Sequence, residues 1–543
     1  MNNRPHLFFI SMLLFAWLAM LIVVNPIGDF PLNDDWTYGA SVHYMMNTGH
    51  FKIVDGSAAA IFTQVIWGTL FCKLFGFSYT VLRLSTLVLA FIATIFLYFF
   101  AFESSNNKGM SFFVALLLAI NPLYFSLSNT FMTDVPFLSF SIISCWFFSK
   151  AFSKSSYLYV VLGTLLAIAA TLIRQAGIVI PLAYSFAVLF TQKNSYAKWT
   201  RVIIPSVVTN MALFGFLTWM ERSDPLFIPY QDSGGILVYL KDVPSLIFRI
   251  YVRTGDVFYY TGFFLLPVLL FAVPRAFMGL PSTRKNAVGI GSFLLLPSII
   301  RAWSTLPKGN ILNEDGVGPK LLRDNYILHT NNSGISQLGL HILVTIGMLG
   351  AILLAIKLVM VVVDAVYSLK QREFSRSTAS TVFLIFFLIC YCLLICLPFN
   401  FFDRYTLPAF FILALVSVQN NTVSTSKRFE YAFPVLFILV VGLFTVSSTH
   451  DYLSWNRARW KAANYLNQNL KISPLFIDGG YEYNGWMLGS TISSIPDKSW
   501  WYVIDDEYML SFGPVAGYKE IKRFSYCSYL PSGTGAILIL QRK

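Results

Sequence analysis

The residues whose types and spacing suit chemistry are three acids and a set of arginines in an otherwise apolar chain. Asp34 and Asp35 stand side by side in Phe30-Pro31-Leu32-Asn33-Asp34-Asp35-Trp36-Thr37-Tyr38. Adjacent carboxylates repel, so one is pushed towards its protonated form and can serve as a base near neutral pH. Tyr38 to Thr48 reads as an amphipathic interfacial helix that holds the pair at the lipid surface. The competing reading is a solvated helix N-cap, a position that favours Asp. A third acid, Asp134, sits in Asn129-Thr130-Phe131-Met132-Thr133-Asp134-Val135-Pro136. It too can cap a helix, with Pro near the helix start. Arg83, Arg174 and Arg404 flank apolar runs. An arginine fork suits two phosphate oxygens, and its competing role is an anchor that snorkels to the interface. Together they outline a cavity with acids for chemistry and arginines for an anion.

Other candidate chemistry is thinner. His43 and His50 lie seven apart in the first loop, where surface histidines are the commoner case. Cys390, Cys392 and Cys396 are surrounded by Leu, Ile and Phe rather than by further metal ligands. No phosphate-cradling GxxxxGK[ST], no GxGxxG after a strand, no HExxH and no GxSxG occurs. No cofactor is required by the sequence, and a divalent metal, though compatible with the carboxylates, is not indicated.

The elements that must position these residues are membrane helices. Of 543 residues, 56% are apolar and 12% charged, against about 25% charged in a soluble domain. Mean hydropathy is +0.63. This excludes a soluble enzyme, a disordered chain and a fibrous protein. The net charge of +13 reads as basic residues flanking membrane helices, not as a nucleic-acid surface. A spanning helix needs about 20 mostly apolar residues. Thirteen runs qualify as candidates: 7–27, 80–102, 110–127, 134–149, 157–173, 176–191, 202–220, 257–273, 287–300, 338–363, 379–398, 405–419 and 431–447. Residues 58–76, with Lys73 and Gly76, read as an interfacial or re-entrant helix.

Charge sets the orientation. With the N-terminus inside, the inner segments hold 15 Lys/Arg and four acids, and the outer loops 28–57, 221–256, 301–336 and 399–404 hold 10 Lys/Arg and 13 acids. The positive-inside rule then places the N-terminus in the cytoplasm, and the acidic loops and the tail outside. The first run lacks a cleavage site and reads as a retained anchor. The expected organisation is a transmembrane domain over 1–448, with its outer catalytic loop at 28–57, and a small extracytoplasmic α/β domain over 449–543. In that tail, 456–470 reads as a helix and 474–477, 500–504 and 536–540 as strands. Its one cysteine, Cys527, leaves no internal disulfide.

The segment Asp34-Asp35-Trp36-Thr37-Tyr38, followed by Met45-Met46 and Gly49, resembles the first-loop signature of glycosyltransferase family 39. That family includes dolichyl-phosphate-mannose protein mannosyltransferases and the lipid A aminoarabinose transferase. Lys73-Leu74-Phe75-Gly76, Arg83-Leu84, Thr133-Asp134-Val135-Pro136 and Arg404-Tyr405 with Pro408 follow in the order that family shows. The resemblance is good over about 1–200 and loose in the later spans. Two departures stand out. The second acid of the first motif is usually Glu, and here it is Asp35. Where aminoarabinose transferases carry Lys-Pro-Pro, this chain reads Ser57-Ala58-Ala59-Ala60-Ile61-Phe62.

The resemblance implies an all-α polytopic membrane protein of GT-C type, with about 13 transmembrane helices and the C-terminal extracytoplasmic α/β domain. It implies a multi-pass glycosyltransferase of the inner (plasma) membrane, moving a hexose or pentose from a polyprenyl-phosphate donor to a cell-envelope acceptor. Asp34 is then the base, with Asp35 and Asp134 as further catalytic acids and Arg83, Arg174, Arg404 and Tyr405 as substrate-binding residues. The expected partners are the lipid-linked sugar, the envelope acceptor and the bilayer, with no nucleic acid. The alternative is a transporter or flippase for a lipid-linked or anionic solute, which would use the same charges as a binding site. A third option is a structural assembly partner whose tail binds envelope proteins.

Overall fold

The computed structural model describes residues 4–54, 57, 59–153, 156–223, 241–303, 309–313, 316–318, 321, 337–371, 375–398, 400–419, 429–489 and 502–543. In chain order its helices are α1 (Arg4–Val24), α2 (Asp35–Thr48), α3 (Phe62–Phe75), α4 (Tyr79–Ser105), α5 (Lys108–Ala119), α6 (Pro122–Ser128), α7 (Asp134–Ser153), α8 (Tyr157–Thr171), α9 (Val179–Thr191) and α10 (Tyr196–Ser223). They continue as α11 (Val243–Met278), α12 (Ser282–Trp303), α13 (Gln337–Lys370), α14 (Arg376–Cys396), α15 (Leu407–Val418), α16 (Phe429–Asn464) and α17 (Tyr481–Leu488).

Each of the thirteen apolar runs falls on helix, yet the expected count of thirteen spans does not follow. Among the described residues, seven helices are long and apolar enough to cross a membrane, or nine if two bent pairs each count as one. The chain is thus a multi-pass membrane protein with at least these segments. The others are too short or too polar: α8 has 15 residues and α15 only 12. Every residue of α15 is buried, so its continuous apolarity reflects enclosure by protein on all sides. The run 110–127 is two helices, α5 and α6, bent by 62°. Asn121 caps α6, its Oδ1 accepting from Leu123 N at 2.9 Å, and Pro122 begins that helix, where its missing N–H costs nothing. The run 257–273 belongs to α11, which bends by 65° between Leu270 and Ala272. Pro274 lacks the N–H that would bond residue 270 and so weakens the helix there. The backbones of α11 and α13 approach closely at Gly262 and Gly350, where an added Cβ would lie 2.4 Å and 2.2 Å from the other backbone. Small residues permit such contact between helices.

The residues expected to share a face do meet. Glu103, at the end of α4, pairs with Lys150 of α7 and Arg376 of α14. The opposite end of the bundle gathers Asp34, Asp134, Arg174, Arg404 and the tail. There α16 runs without a break from 429 to 464 and leads into the tail. The tail sheet comprises β3 (Ile477–Asp478), β4 (Tyr508–Ser511), β5 (Tyr518–Tyr529) and β6 (Ser532–Arg542), ordered β3-β4-β6-β5, with β3 and β4 parallel and the other pairs antiparallel. (A hairpin of two-residue strands, β1 (Leu312–Asn313) with β2 (Gly316–Val317), lies outside this sheet.) The expected helix at 456–470 continues α16, and 536–540 lies inside β6. The expected strand at 474–477 is mostly a 3-10 turn, with β3 beginning only at 477. Of 500–504, residues 500 and 501 lie outside the described residues. The rest is not strand: Tyr502 has φ +60, which a strand does not admit.

Candidate active site

Four loops bring the site together, and each is tied down by backbone hydrogen bonds. The loop before α2 is gripped from two sides. Arg83 Nη1 donates to the carbonyls of Pro26 at 2.5 Å and Gly28 at 3.2 Å, and Nη2 to that of Phe30 at 3.1 Å. Arg457 of α16 donates to Asn25 O at 2.8 Å. The loop before α7 is held by Asp35, whose Oδ2 accepts from Phe131 N at 3.1 Å while Oδ1 accepts from Leu32 N. The start of α3 bonds the turn after α8, with Ile61 N donating to Ile173 O at 3.2 Å. Asp403 accepts from Ile311 N, Leu312 N and Arg404 N, which fixes the approach to α15.

Between these loops the side chains of Asp34, Asp134, Arg174 and Arg404 meet. Arg404 is central: its Nη2 lies 3.6 Å from Asp34 Oδ2 and its Nη1 3.8 Å from Asp134 Oδ2. Arg174 Nη2 lies 2.9 Å from Asp134 Oδ1, and its Nε donates to Thr133 Oγ1 at 2.8 Å. The Tyr405 ring sits 5.8 Å from both guanidinium carbons, a cation–π distance. Asp134 and Arg404 are buried, whereas the Asp34 side chain is 30% exposed. Asp34 makes no side-chain capping bond to α2, so its carboxylate is turned to the cluster and not to the helix. Among the described residues, Arg404 Nε and Nη1 and both Asp134 oxygens are buried without an aligned hydrogen bond. A buried guanidinium with unsatisfied donors favours an anionic ligand.

Of the seven residues expected at the site, five come together: Asp34, Asp134, Arg174, Arg404 and Tyr405. Two stand apart. Asp35 is 1% exposed and bonds loop amides on the far side of the helix start. Arg83, equally buried, is engaged with loop carbonyls and stacks 5.2 Å from the Phe30 ring. Both position the loop that carries Asp34. The charge logic of the pair also differs from the expectation. Burial, the largest cause, raises Asp35 to about 7 against the pull of its backbone bonds and Arg83. Burial likewise raises Asp403 to about 6, opposed by its three backbone donors. For Arg404, burial favours the neutral form, but Asp134 and Asp34 outweigh it and keep the guanidinium charged.

Three tyrosines and a tail pair complete the site, and sequence reasoning gave none of them a role. Tyr38 lies within electrostatic reach of Asp34, Arg174, Arg404 and Asp134, and burial and Asp34 raise its phenol. Tyr391 Oη donates to Tyr405 O at 3.0 Å. Tyr481 of α17 donates to Asp34 Oδ1 at 3.1 Å. The adjacent Glu482 accepts from Asn33 N at 3.0 Å and pairs with Arg459 at 2.8 Å. The signal available was Asp478-Gly479-Gly480-Tyr481-Glu482-Tyr483, a turn followed by aromatic and acidic residues. His43 contacts Phe77 and Trp486.

No protein of curated function matches the chain in sequence. Among solved structures, ArnT from Cupriavidus metallidurans bound to undecaprenyl phosphate is similar at 13% identity and a TM-score of 0.44, over 99% of this chain and 98% of that one. AglB, the archaeal oligosaccharyltransferase from Archaeoglobus fulgidus in complex with an inhibitory peptide and a dolichol-phosphate, is similar at 16% identity and a TM-score of 0.46. That similarity covers 86% of this chain and 59% of AglB. Residues 65–220 match the family model described as dolichyl-phosphate-mannose-protein mannosyltransferase. Asp34, Arg404 and Tyr481 lie outside the matched residues. The stretch that contributes Arg83, Asp134 and Arg174 therefore carries the sequence pattern of the dolichyl-phosphate-mannose-protein mannosyltransferase family, the resemblance its motifs show.

Proposed function

We propose that this protein transfers a sugar from a polyprenyl-phosphate donor to a hydroxyl of a cell-envelope acceptor. The observation that carries the reading is Arg404, buried between Asp34 and Asp134, whose Nε and Nη1 make no aligned hydrogen bond among the described residues. The family match supports it, since that family's description names a dolichyl-phosphate-linked sugar. In the step we derive, Asp34 accepts the acceptor hydroxyl proton. The oxygen bonds the anomeric carbon as the bond from that carbon to the phosphate oxygen breaks, and the electron pair leaves with the polyprenyl phosphate. Arg404 and Arg174 stabilise the charge on that phosphate. Asp134 holds both guanidinium groups, and Tyr405 packs beside both. Counting α8, α9, α12 and α15 as crossings gives thirteen spans. The charge distribution then supports a cluster on the outer face of the plasma membrane, with the N-terminus in the cytoplasm.

The test is transfer of label from radiolabelled undecaprenyl-phosphate hexose or pentose by the purified protein, with envelope extract as acceptor source. The wild type should transfer label, and Asp34→Asn should lose about 10²–10⁴ in rate. Full transfer by the Asn variant removes the base role. Movement of labelled lipid between leaflets without transfer supports a flippase instead.

A further inference from the structure

Among the described residues, the tail reaches the cluster through Tyr481, which bonds Asp34. We propose that Tyr481 is a positioning residue for Asp34, and that the Glu482–Arg459 pair is the latch that keeps it there. The proposal rests on the reading of Asp34 as the base. Neighbouring residues of the tail bond neighbouring residues of the loop. Tyr481 Oη donates to Asp34 Oδ1 at 3.1 Å, and Glu482 Oε1 accepts from Asn33 N at 3.0 Å. Glu482 Oε2 pairs with Arg459 Nη1 at 2.8 Å, and both side chains are at most 5% exposed. A buried pair of this kind is hard to open, because parting it strands a charge.

The turn before Tyr481 is built for the placement. Gly480 has φ +91, a conformation that suits glycine, and its N–H donates to Asp478 Oδ1 at 3.1 Å. The Tyr481 ring meets Trp36 edge-on at 6.0 Å and stacks with Tyr502 at 6.2 Å. Terminal torsions of Asp are soft, so a carboxylate held at one oxygen still turns. Asp34 is held at both: Tyr481 at Oδ1, and Arg404 at Oδ2 from another element. Tyr38, Asp134, Arg174 and Tyr405 are further ionisable groups near this cluster. A carboxylate has about four lone-pair sites, so two contacts leave room for an acceptor hydroxyl, and the side chain remains 30% exposed.

The test uses Tyr481→Phe, which keeps the ring against Trp36 and Tyr502, and Glu482→Gln, which releases the latch. The first readout needs no turnover: labelling of Asp34 by dicyclohexylcarbodiimide at pH 7, followed by peptide mass spectrometry. A carboxyl freed of the donor at Oδ1 is less shielded and reacts faster with this reagent. We expect labelling about tenfold faster in both variants. The second readout is kinetic, with the labelled undecaprenyl-phosphate sugars. Tyr481→Phe should lower kcat about tenfold while leaving the KM for donor within twofold, a split that mere loosening of the tail does not produce. Unchanged Asp34 labelling in Tyr481→Phe overturns the positioning role whatever the turnover. Full turnover in Asp34→Asn, with labelling raised as expected in Tyr481→Phe, overturns the base reading and leaves the contact itself standing.

Discussion

Arg404→Lys is the sharpest perturbation of the cluster, because it keeps the charge and removes the fork. One guanidinium faces Asp34 at 3.6 Å and Asp134 at 3.8 Å through different nitrogens. At an effective dielectric near 20, each contact is worth about 4 kcal/mol before desolvation. A lysine offers one compact ammonium, so it serves one carboxylate and leaves the other short of a partner. Asp134 keeps Arg174 at 2.9 Å, which limits the loss on that side. The net expected cost is about 2 kcal/mol in kcat/KM, or about 30-fold. The donor also loses two-oxygen recognition, so the KM for lipid-linked sugar should rise. The assay is initial-rate transfer from radiolabelled undecaprenyl-phosphate sugar in detergent, with acceptor in excess. Arg83→Lys is the internal control, since Arg83 binds loop carbonyls and no acid of the cluster. It should lower thermal stability and leave the KM for donor within twofold. An Arg404→Lys enzyme with kcat/KM within twofold of wild type refutes the reasoning, because an arginine that only anchors the interface tolerates Lys.

Two further outcomes follow from burial. Burial raises Asp35 to about 7 and Asp403 to about 6, above the ordinary carboxylate value of 3.8. The folded state therefore binds more protons between about pH 4 and 7, so their contribution to stability is full below that window and is lost as pH rises through it. The thermal midpoint in detergent should fall from pH 5 to pH 8, and Asp35→Asn should flatten that fall; an unchanged slope in the variant shows that Asp35 does not set it. At Gly485, an added Cβ would lie 2.5 Å from the Trp36 indole. Gly485→Ala should therefore destabilise the docked tail by about 1–3 kcal/mol, read as faster limited proteolysis within 470–543, and wild-type resistance would place the tail elsewhere.

What the sequence reveals and what it hides divide along one physical line. Acids and arginines in an apolar chain are costly to bury, so their positions alone mark Asp34, Asp134, Arg174 and Arg404, and the alternation of spans places them at one end. Apolar runs mark helices for the same reason, but do not say which of them cross: every residue of α15 is buried, so its apolarity fits enclosure by protein as well as a span. The roles of Asp35 and Arg83 are hidden because a charge bonded to backbone amides or carbonyls looks, in one dimension, like a charge awaiting substrate. Only the partners tell them apart, and those partners are Phe131 N, 96 residues away, and the carbonyls of Pro26, Gly28 and Phe30. The long β5 is missed because Lys519, Glu520, Lys522 and Arg523 fill its first half and a register shift between Glu520 and Lys522 breaks the alternation, so its pattern reads as loop. Tyr481 is the extreme case. It reaches Asp34 across 447 residues, and no local periodicity encodes that contact. Its one-dimensional trace is the glycine pair before it, Gly479-Gly480, which fits a chain that must turn tightly before presenting a side chain to a fixed point.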